Sequence, residues 1–308
     1  MVWRRLTDTV RVTTCDRQSP DVTCALPKIK TPNQALQRTL ASARAAEFMR
    51  WTASFMRIDE GFRAAYRELE ARMKILAEAD GDVFLPNPEP VWPVEYVFVC
   101  MEPSLGRWAR SADEARAKVE AGFRNFLSSI EDFILHFCIQ QYRCGPTQRY
   151  HMTDLSKGAM LVARAGVART QRYDRWYGLL VEELDLVATS GAGLFAVGHA
   201  VAQYLERCAF PRLFTKVIHY SGLAARARAS GIVGHEDSFE AFRSAVSLEC
   251  VLATAEDVLI ASAVPASFRD ETLARLAKSQ LSESRQQLIF NYKLAFEAMG
   301  SSGRAWLP

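Results

Sequence analysis

Polar residues of catalytic type end four short apolar runs in this 308-residue sequence. Glu102 follows the run YVFVCM, Asp154 follows RYHMT, and His219 follows FTKVI. Gly198 and His199 follow the run LFAV in the same way. A carboxylate can stabilise a developing positive charge or orient a water, and an imidazole can donate a hydrogen bond to a leaving group. These residue types indicate a catalytic site, provided that the four runs end at one place.

The predicted strands and helices around these residues would bring the ends of the four apolar runs together. Each apolar run has the length of a strand, and helices are predicted between them, a long amphipathic helix over 112–142 and another around 172–189. Strands that alternate with helices predict β-α-β units and a parallel sheet. Ligands of such sheets bind at the carboxyl ends of the strands. The strands are predicted at 96–101, 149–155, 193–197 and 214–221.

The rest of the chain surrounds this core, which spans about 94–230. Apolar residues at three- and four-residue steps predict a helix over 49–79, and a proline-rich loop follows. Residues 237–300 are expected to be mainly helical. We therefore predict a three-layer α/β/α sandwich with a central four-stranded parallel sheet, extra N- and C-terminal helices, and one domain over 49–308.

Residues 1–48 differ from the rest, because they are rich in Thr, Arg and Ser and show no clear period. One interpretation is that they translate repeated intergenic DNA, with the true start at Met49 or Met56. The other is a flexible arm whose Arg4, Arg5 and Arg11 touch phosphates. Both interpretations leave this segment outside the folded domain.

Composition excludes several classes. Lys and Arg number 38 against 35 Asp and Glu, so net charge alone does not indicate nucleic-acid binding. The seven cysteines lack the spacing of a zinc or iron–sulfur site, and their odd number suggests reduced thiols in a cytosol. No apolar run reaches about 18 residues, and no signal peptide is visible. We expect a cytoplasmic monomer without a metal, iron–sulfur cluster, cofactor or membrane anchor.

Four motifs, CMEPS, MTDLSKG, LFAVGHAVAQYL and HYSGL, occur in the order and approximate spacing of the uracil-DNA glycosylase superfamily. The chain resembles that superfamily over about 94–230. The resemblance implies a four-stranded parallel sheet between helices and excision of a base from double-stranded DNA by base flipping. It also departs from the family pattern, with Cys100 in place of Gly, Tyr220 in place of Pro, and Asp154 in place of Asn.

The resemblance also implies roles for particular residues. Glu102 takes the position of the catalytic acid or amide, His219 that of the leaving-group histidine, and Asp154 that of the base-reading residue. Leu223 matches the leucine that fills the vacated base stack. Residues expected beside the base are Met101, Pro103, Ser104 and Phe126, although Phe123 is a second candidate for the stacking aromatic.

Cleavage of an N-glycosidic bond develops positive charge on the sugar and negative charge on the base. We assign the first to Glu102, which can also orient a water, and the second to His219. No lysine lies in an imine-forming motif, which favours a monofunctional enzyme. The structural alternatives are that Glu102 pairs with Arg107 or Arg110, and that His219 only bonds the backbone.

Asp154 and Ser104 suggest the substrate. An ionised Asp only accepts hydrogen bonds, so it suits the N4 amino group of cytosine better than uracil O4. Ser104 is small where uracil enzymes have a tyrosine against C5 of the base. The target expected is therefore a cytosine with a C5 substituent. The chain also resembles members of the superfamily that defend bacteria against phages with such DNA, which implies glucosylated hydroxymethylcytosine as the substrate and antiviral defence as the role. Alternatively, Asp154 caps a helix that begins near Ser156.

Basic residues near the motifs predict contacts with the DNA backbone. The alternative explanation is that they lie on solvated helix faces. The expected DNA-binding residues are Arg107, Arg110, Lys157, Ser221, Leu223, Arg226 and Arg228.

Three other functions stay open. The first is a repair glycosylase for uracil or another deaminated base. The second is a superfamily member that binds DNA or a nucleotide without cutting it. The third is an unrelated doubly wound binding protein, against which the absence of GxGxxG, Walker A and GxSxG motifs argues.

Overall fold

The computed structural model describes residues 60–302 apart from 107, 146–147, 162–163, 165–167 and 222–223, and it describes no side chains for 300–302. All of these residues belong to one compact unit, Ile58–Pro308. The extension expected at 1–48 and the first part of the helix expected at 49–79 lie outside the described residues, as do Arg107 and Leu223.

Four strands form the central sheet, and all of them run parallel. β2 and β5 lie in the middle, with β3 and β6 at the edges, in the order β3-β2-β5-β6. A separate two-stranded antiparallel ribbon joins β1 to β4. The parallel sheet confirms the prediction from the alternation of strands and helices. The strands are β1 Val83–Phe84, β2 Val94–Cys100, β3 Tyr150–Asp154, β4 Gly158–Ala159, β5 Ala188–Val197 and β6 Thr215–Val217.

Helices cover both faces of the sheet. Along β2, Phe98 points into one core with Phe133 and Tyr292, while Val97 points into another with Leu184. Successive side chains of a strand point to opposite faces, so an all-apolar strand such as β2 needs a core on each side. The protein is therefore a mixed α/β structure with helices on both sides of a parallel sheet. The helices are α1 Glu60–Ala79, α2 Ala112–Glu120, α3 Ile130–Tyr142, α4 Arg169–Val187, α5 His199–Arg207, α6 Ala225–Ser230, α7 Glu236–Arg243, α8 Leu248–Ala261, α9 Ala266–Leu276 and α10 Glu283–Ser302.

The single long helix predicted over 112–142 is wrong, because the segment forms two helices, α2 and α3. Gly122 follows α2 with a positive φ of 99°, a conformation that favours glycine and ends a helix. A capping box opens α3, in which Ser129 Oγ accepts from the Asp132 N–H and Asp132 accepts from the Ser129 N–H. The break between them places residues 121–129 against the carboxyl edge of the sheet.

The chain order creates a switch point between β2 and β5. After β2 the chain forms β3 on one side, and it then crosses to form β5 and β6 on the other side. Open parallel sheets bind ligands in the crevice outside such a point. Gly198 ends β5 there with φ 102°, and a Cβ at this position would lie 3.0 Å from His219 Cδ2. A glycine is therefore required for the close approach of β5 and the segment after β6.

Within the described part of the chain, no helix is both long enough and apolar enough to cross a membrane.

Candidate active site at the carboxyl edge of the sheet

The strand ends meet at one level of the sheet. Cys100 and Asp154 are register partners, and the Leu155 N–H donates to the Cys100 carbonyl at 2.9 Å. On the other side of β2, the Gly198 N–H donates to the Val217 carbonyl at 2.8 Å. The residues that follow these strands, Glu102 among them, therefore share one edge, as the sequence predicted.

The charges of the residues at this edge affect one another's pKa values. The charge of Glu102 is one of the groups that raise the pKa of Asp154, and Asp154 in turn raises the pKa of Tyr220, the neighbour of His219. Glu102 and Asp154 therefore influence each other, and His219 follows a strand that ends at the same edge of the sheet.

Two donors from α4 hold Glu102. Arg169 Nη2 lies 2.8 Å from Oε1, and the Tyr173 hydroxyl donates to Oε2. The Glu102 side chain is only 2% exposed, whereas that of Arg169 is 34% exposed. Glu102 therefore pairs with Arg169, a basic residue that the sequence did not single out, and not with the expected alternative partner Arg110, which is exposed.

Asp154 belongs to a buried polar cluster with two asparagines. The Asn125 amide donates to Asp154 Oδ2 at 2.5 Å and to Asn87 Oδ1 at 3.2 Å, and Asn125 Oδ1 accepts from the Phe126 N–H. The helix that Asp154 was alternatively expected to cap does not form, since β4 begins at Gly158 instead. The cluster has side-chain donors and acceptors of the kind that read a base edge.

Asp154 is protonated at neutral pH. Burial raises its pKa to about 8, with further increases from Glu102 and Glu183 and opposing effects of Asn125 and Lys157. The raised pKa argues against the ionised Asp154 on which the selection of cytosine was predicted. A neutral carboxyl both donates and accepts, so it can pair with N3 and N4 of cytosine or with O4 and N3 of uracil. Discrimination between these bases has to come from elsewhere in the site.

Phe126 has an unusual backbone conformation, with φ 60°, and its side chain is buried. His136 Nε2 lies 3.1 Å from the Phe126 carbonyl, and Nδ1 lies 2.6 Å from the Tyr150 hydroxyl. Burial lowers the pKa of His136 to about 4, so the ring is neutral. Because the carbonyl can only accept, Nε2 carries the proton and Nδ1 accepts from Tyr150. This network holds a strained residue, a feature that clusters at functional sites.

Phe123, the other candidate for base stacking, packs elsewhere. Its ring stacks on Trp108 with centroids 4.4 Å apart, in a smaller core. Trp108 Nε1 also donates to the Ser104 carbonyl at 2.7 Å, and Leu105 N–H donates to the Met160 carbonyl. The loop after Glu102 is thus fixed, with Pro103 buried and with Met101 and Ser104 half-buried.

His219 is poised as a neutral hydrogen-bond donor. Burial and the charge of Arg228 lower its pKa to about 4. Its Nδ1 accepts from the Ser221 N–H at 3.0 Å, which leaves the proton on Nε2. The ring stacks on Tyr220 with an interplanar angle of 7°. This backbone bond, which the sequence offered as an alternative role, sets the tautomer and leaves Nε2–H as a hydrogen-bond donor.

The structure does not support phosphate contacts for Lys157 and Arg228. Lys157 is 1% exposed and pairs with Glu183, which also binds His151 Nε2 at 2.9 Å and Thr153 Oγ1 at 2.8 Å. Arg228 is also buried, and it donates to two backbone carbonyls of the turn after His219. A buried cation needs such partners, and sequence position alone does not show its burial.

The other described residues that were expected to contact DNA are accessible to solvent. Arg110 and Arg226 are exposed, and Ser221 is half-buried beside His219. Arg169 joins them as a basic residue at this edge. Sequence reasoning missed Arg169 and also Tyr173, whose spacing of four residues places both on one face of α4. Nothing in the sequence connects that face to Glu102.

Asn87 and Asn125 were missed as well. Asn87 lies in the loop between β1 and β2, and Asn125 directly precedes Phe126. Asparagines in loops usually satisfy turns, so residue type alone gave no signal. Only the contact with Asp154 identifies them.

A cavity of about 720 Å³ opens along the outer edge of β3. Phe126, Tyr150 and Met152 line it, whereas Glu102, Asp154 and His219 do not. The cavity and the polar cluster are therefore neighbouring features.

Comparisons of the chain with protein-family models, with curated proteins and with solved structures gave no match. The fold and the geometry of the site themselves define an α/β protein with a polar site at the switch point of a parallel sheet. Among the described residues, no group of His, Cys, Asp and Glu is arranged to hold a metal ion.

Proposed function

We propose that the protein is a monofunctional DNA glycosylase, which flips a modified base out of double-stranded DNA and hydrolyses its N-glycosidic bond. The observation that supports this best is the group formed by Glu102, the cluster of Asp154 with its two asparagines, and neutral His219 at one sheet edge. The four sequence motifs that resemble the uracil-DNA glycosylase superfamily contribute these same residues.

In the proposed reaction Glu102 stabilises the positive charge that develops on the sugar and orients the attacking water. His219 Nε2–H donates to O2 of the departing base. Arg169 and Tyr173 are positioning residues that hold the Glu102 carboxylate. Because this carboxylate is 2% exposed, substrate entry requires that the more accessible Arg169 side chain moves aside.

The proposed substrate is a cytosine that carries a C5 substituent, such as glucosylated hydroxymethylcytosine in phage DNA, and the proposed role is antiviral. Neutral Asp154 pairs with N3 and N4 of the cytosine edge. Small Ser104 leaves room beside C5. Unmodified cytosine is not a tenable target, since its excision would destroy the host genome.

The test is base release from two phage DNAs, one glucosylated and one unmodified, with free base measured by mass spectrometry and abasic sites by strand cleavage. Release from the glucosylated DNA alone is expected. Glu102→Gln should abolish release. Glu95→Gln, a matched change at the amino end of the same strand where Glu95 pairs with Arg149, should leave it unchanged. Release that survives in Glu102→Gln would contradict the assignment.

A second candidate is a repair glycosylase for uracil, and one observation favours it. Neutral Asp154 can donate to O4 and accept from N3–H of uracil as well as it pairs with cytosine. Release of base from a uracil-containing duplex, without release from glucosylated DNA, would select this function. DNA binding without release from either substrate would instead identify a non-catalytic DNA-binding protein.

A further inference from the structure

The cavity along β3 has the size of a small-molecule site. Its volume of about 720 Å³ falls within the range of about 300–1,000 Å³ that is usual for ligand pockets. Its walls combine apolar and polar side chains. The former include Trp92 and Val258, and the latter include Gln140, Gln141 and Asp257.

Segments of the chain pass directly from the Asp154 cluster into the cavity wall. Tyr150, Met152 and Asp154 alternate along β3 and so share one face, with Met152 about 6.6 Å before Asp154. Tyr150 and Met152 line the cavity. The cavity therefore begins about one side chain away from the carboxyl that is proposed to hold the base.

The two asparagines show the same continuity. Asn125, which donates to Asp154, is followed by Phe126 in the cavity wall. Asn87, the other partner of Asn125, is followed by Pro88 in the cavity wall. Two chain segments thus run from the Asp154 cluster directly into the cavity wall, so the cavity lies next to the cluster.

The lining chemistry suits a hexose. Trp92 is half-exposed in the wall, and an indole face packs well against the C–H groups of a pyranose ring. Gln140 and Gln141 provide amide donors and acceptors, and the exposed Asp257 provides a carboxylate acceptor for vicinal hydroxyls. The Gln140 amide is held in place, because it donates to the Tyr150 hydroxyl at 3.1 Å.

We propose that this cavity is a hexopyranose subsite, which holds the sugar of a glucosylated hydroxymethylcytosine while Asp154 holds the cytosine edge. The proposal rests on the proposed glycosylase function for the source of the sugar, since a free hexose has the same ring chemistry. It assigns substrate selection to the cavity rather than to Asp154.

The first test measures binding without catalysis. In saturation-transfer NMR, methyl α- and β-D-glucopyranoside should receive saturation from the wild-type protein. Trp92→Ala and Gln141→Ala should each lower the affinity for the glucosides about tenfold, which a titration of the transferred saturation measures. The control Leu213→Ala, an 86% exposed residue outside the cavity, should match the wild type. Thermal midpoints identify any variant that fails to fold. The subsite would be overturned if the glucosides received no saturation from the wild type, or if they received as much from folded Trp92→Ala and Gln141→Ala as from the wild type.

The second test identifies the source of the sugar. The value of kcat/KM is measured on DNA with hydroxymethylcytosine and on the same DNA after glucosylation. Trp92→Ala should lower it about tenfold on the glucosylated DNA and leave it unchanged on the other. Equal losses on both DNAs, or no loss, contradict a sugar role in the reaction. If the wild type releases no base from any DNA, the glycosylase function fails, while the glucoside experiment still decides whether the cavity binds a hexose.

Discussion

The substitution Asp154→Asn tests the central electrostatic feature of the site. Asn is neutral at every pH and nearly isosteric with a protonated Asp. Its carbonyl oxygen can accept the hydrogen bond that Asn125 now donates to Asp154 Oδ2 at 2.5 Å. The substitution therefore removes the titration of residue 154 and preserves its hydrogen bond with Asn125.

The sign of the effect follows from the raised pKa. The pKa of Asp154 is about 8 in the folded protein, against about 3.9 in an unfolded chain. Between these values the folded protein holds a proton that the unfolded chain has lost. The free energy of unfolding then falls as pH rises, by up to about 1.4 kcal/mol per pH unit from this group. From pH 4 to pH 7 the loss amounts to about 4 kcal/mol, and Asp154→Asn should abolish it.

The assay is urea unfolding of both proteins at pH 5, 6, 7, 8 and 9, analysed as the difference between them. Other titrating groups, such as Glu70 with a pKa of about 7, contribute to both proteins and cancel. We expect the variant to gain stability relative to the wild type as pH rises towards 8, and the difference to level off above pH 8. The exposed Asp113→Asn should show no such trend. A constant difference between wild type and Asp154→Asn would mean that Asp154 is ionised in the folded protein, which would refute the reasoning.

Three further predictions concern activity and stability. Base release should fall as pH rises through about 8, because only neutral Asp154 donates to the base, and a pH–rate profile of Asp154→Asn should lack this limb. Lys157→Met should cost about 3–5 kcal/mol in urea unfolding, since it leaves Glu183 charged and buried; a loss below about 1 kcal/mol would show that Glu183 is not charged. Gly198→Ala should cost about 1–3 kcal/mol, because its φ is 102° and the added Cβ approaches His219, and it should lower kcat; unchanged kcat would place His219 outside the reaction.

The pKa of Glu183, the partner of Lys157, leads to a related prediction about stability in acid. Burial alone would raise the pKa of Glu183, but Lys157 and His151 lower it to about 2. This carboxylate therefore contributes stability above about pH 4, and the contribution is lost as pH falls towards 2. Acid unfolding of the wild type, followed by circular dichroism, should show that loss, and a wild type fully stable to pH 2 would contradict it.

The sequence by itself determined the four strands of the parallel sheet and the edge at which they end, but not the β1–β4 ribbon. Short runs of β-branched and aromatic residues, such as 94–100, are buried wherever they pair, and helix-length spacers force parallel pairing. The parallel order then places Glu102 and Asp154 together without any knowledge of side-chain contacts. The break at Gly122 and the Ser129 capping box were also readable locally, although the segment was interpreted as one helix.

Only the tertiary structure decided which charges are buried and which partners they have. Arg169 reaches Glu102 across 67 residues, and Asn125 reaches Asp154 across 29. The pKa of about 8 for Asp154 arises from burial by those distant segments, as does the enclosure of Lys157. Burial and Coulomb interactions depend on distance in space, whereas residue patterns record distance along the chain. For that reason the sheet edge that carries the candidate site could be predicted from sequence, but the protonation state of Asp154 could not.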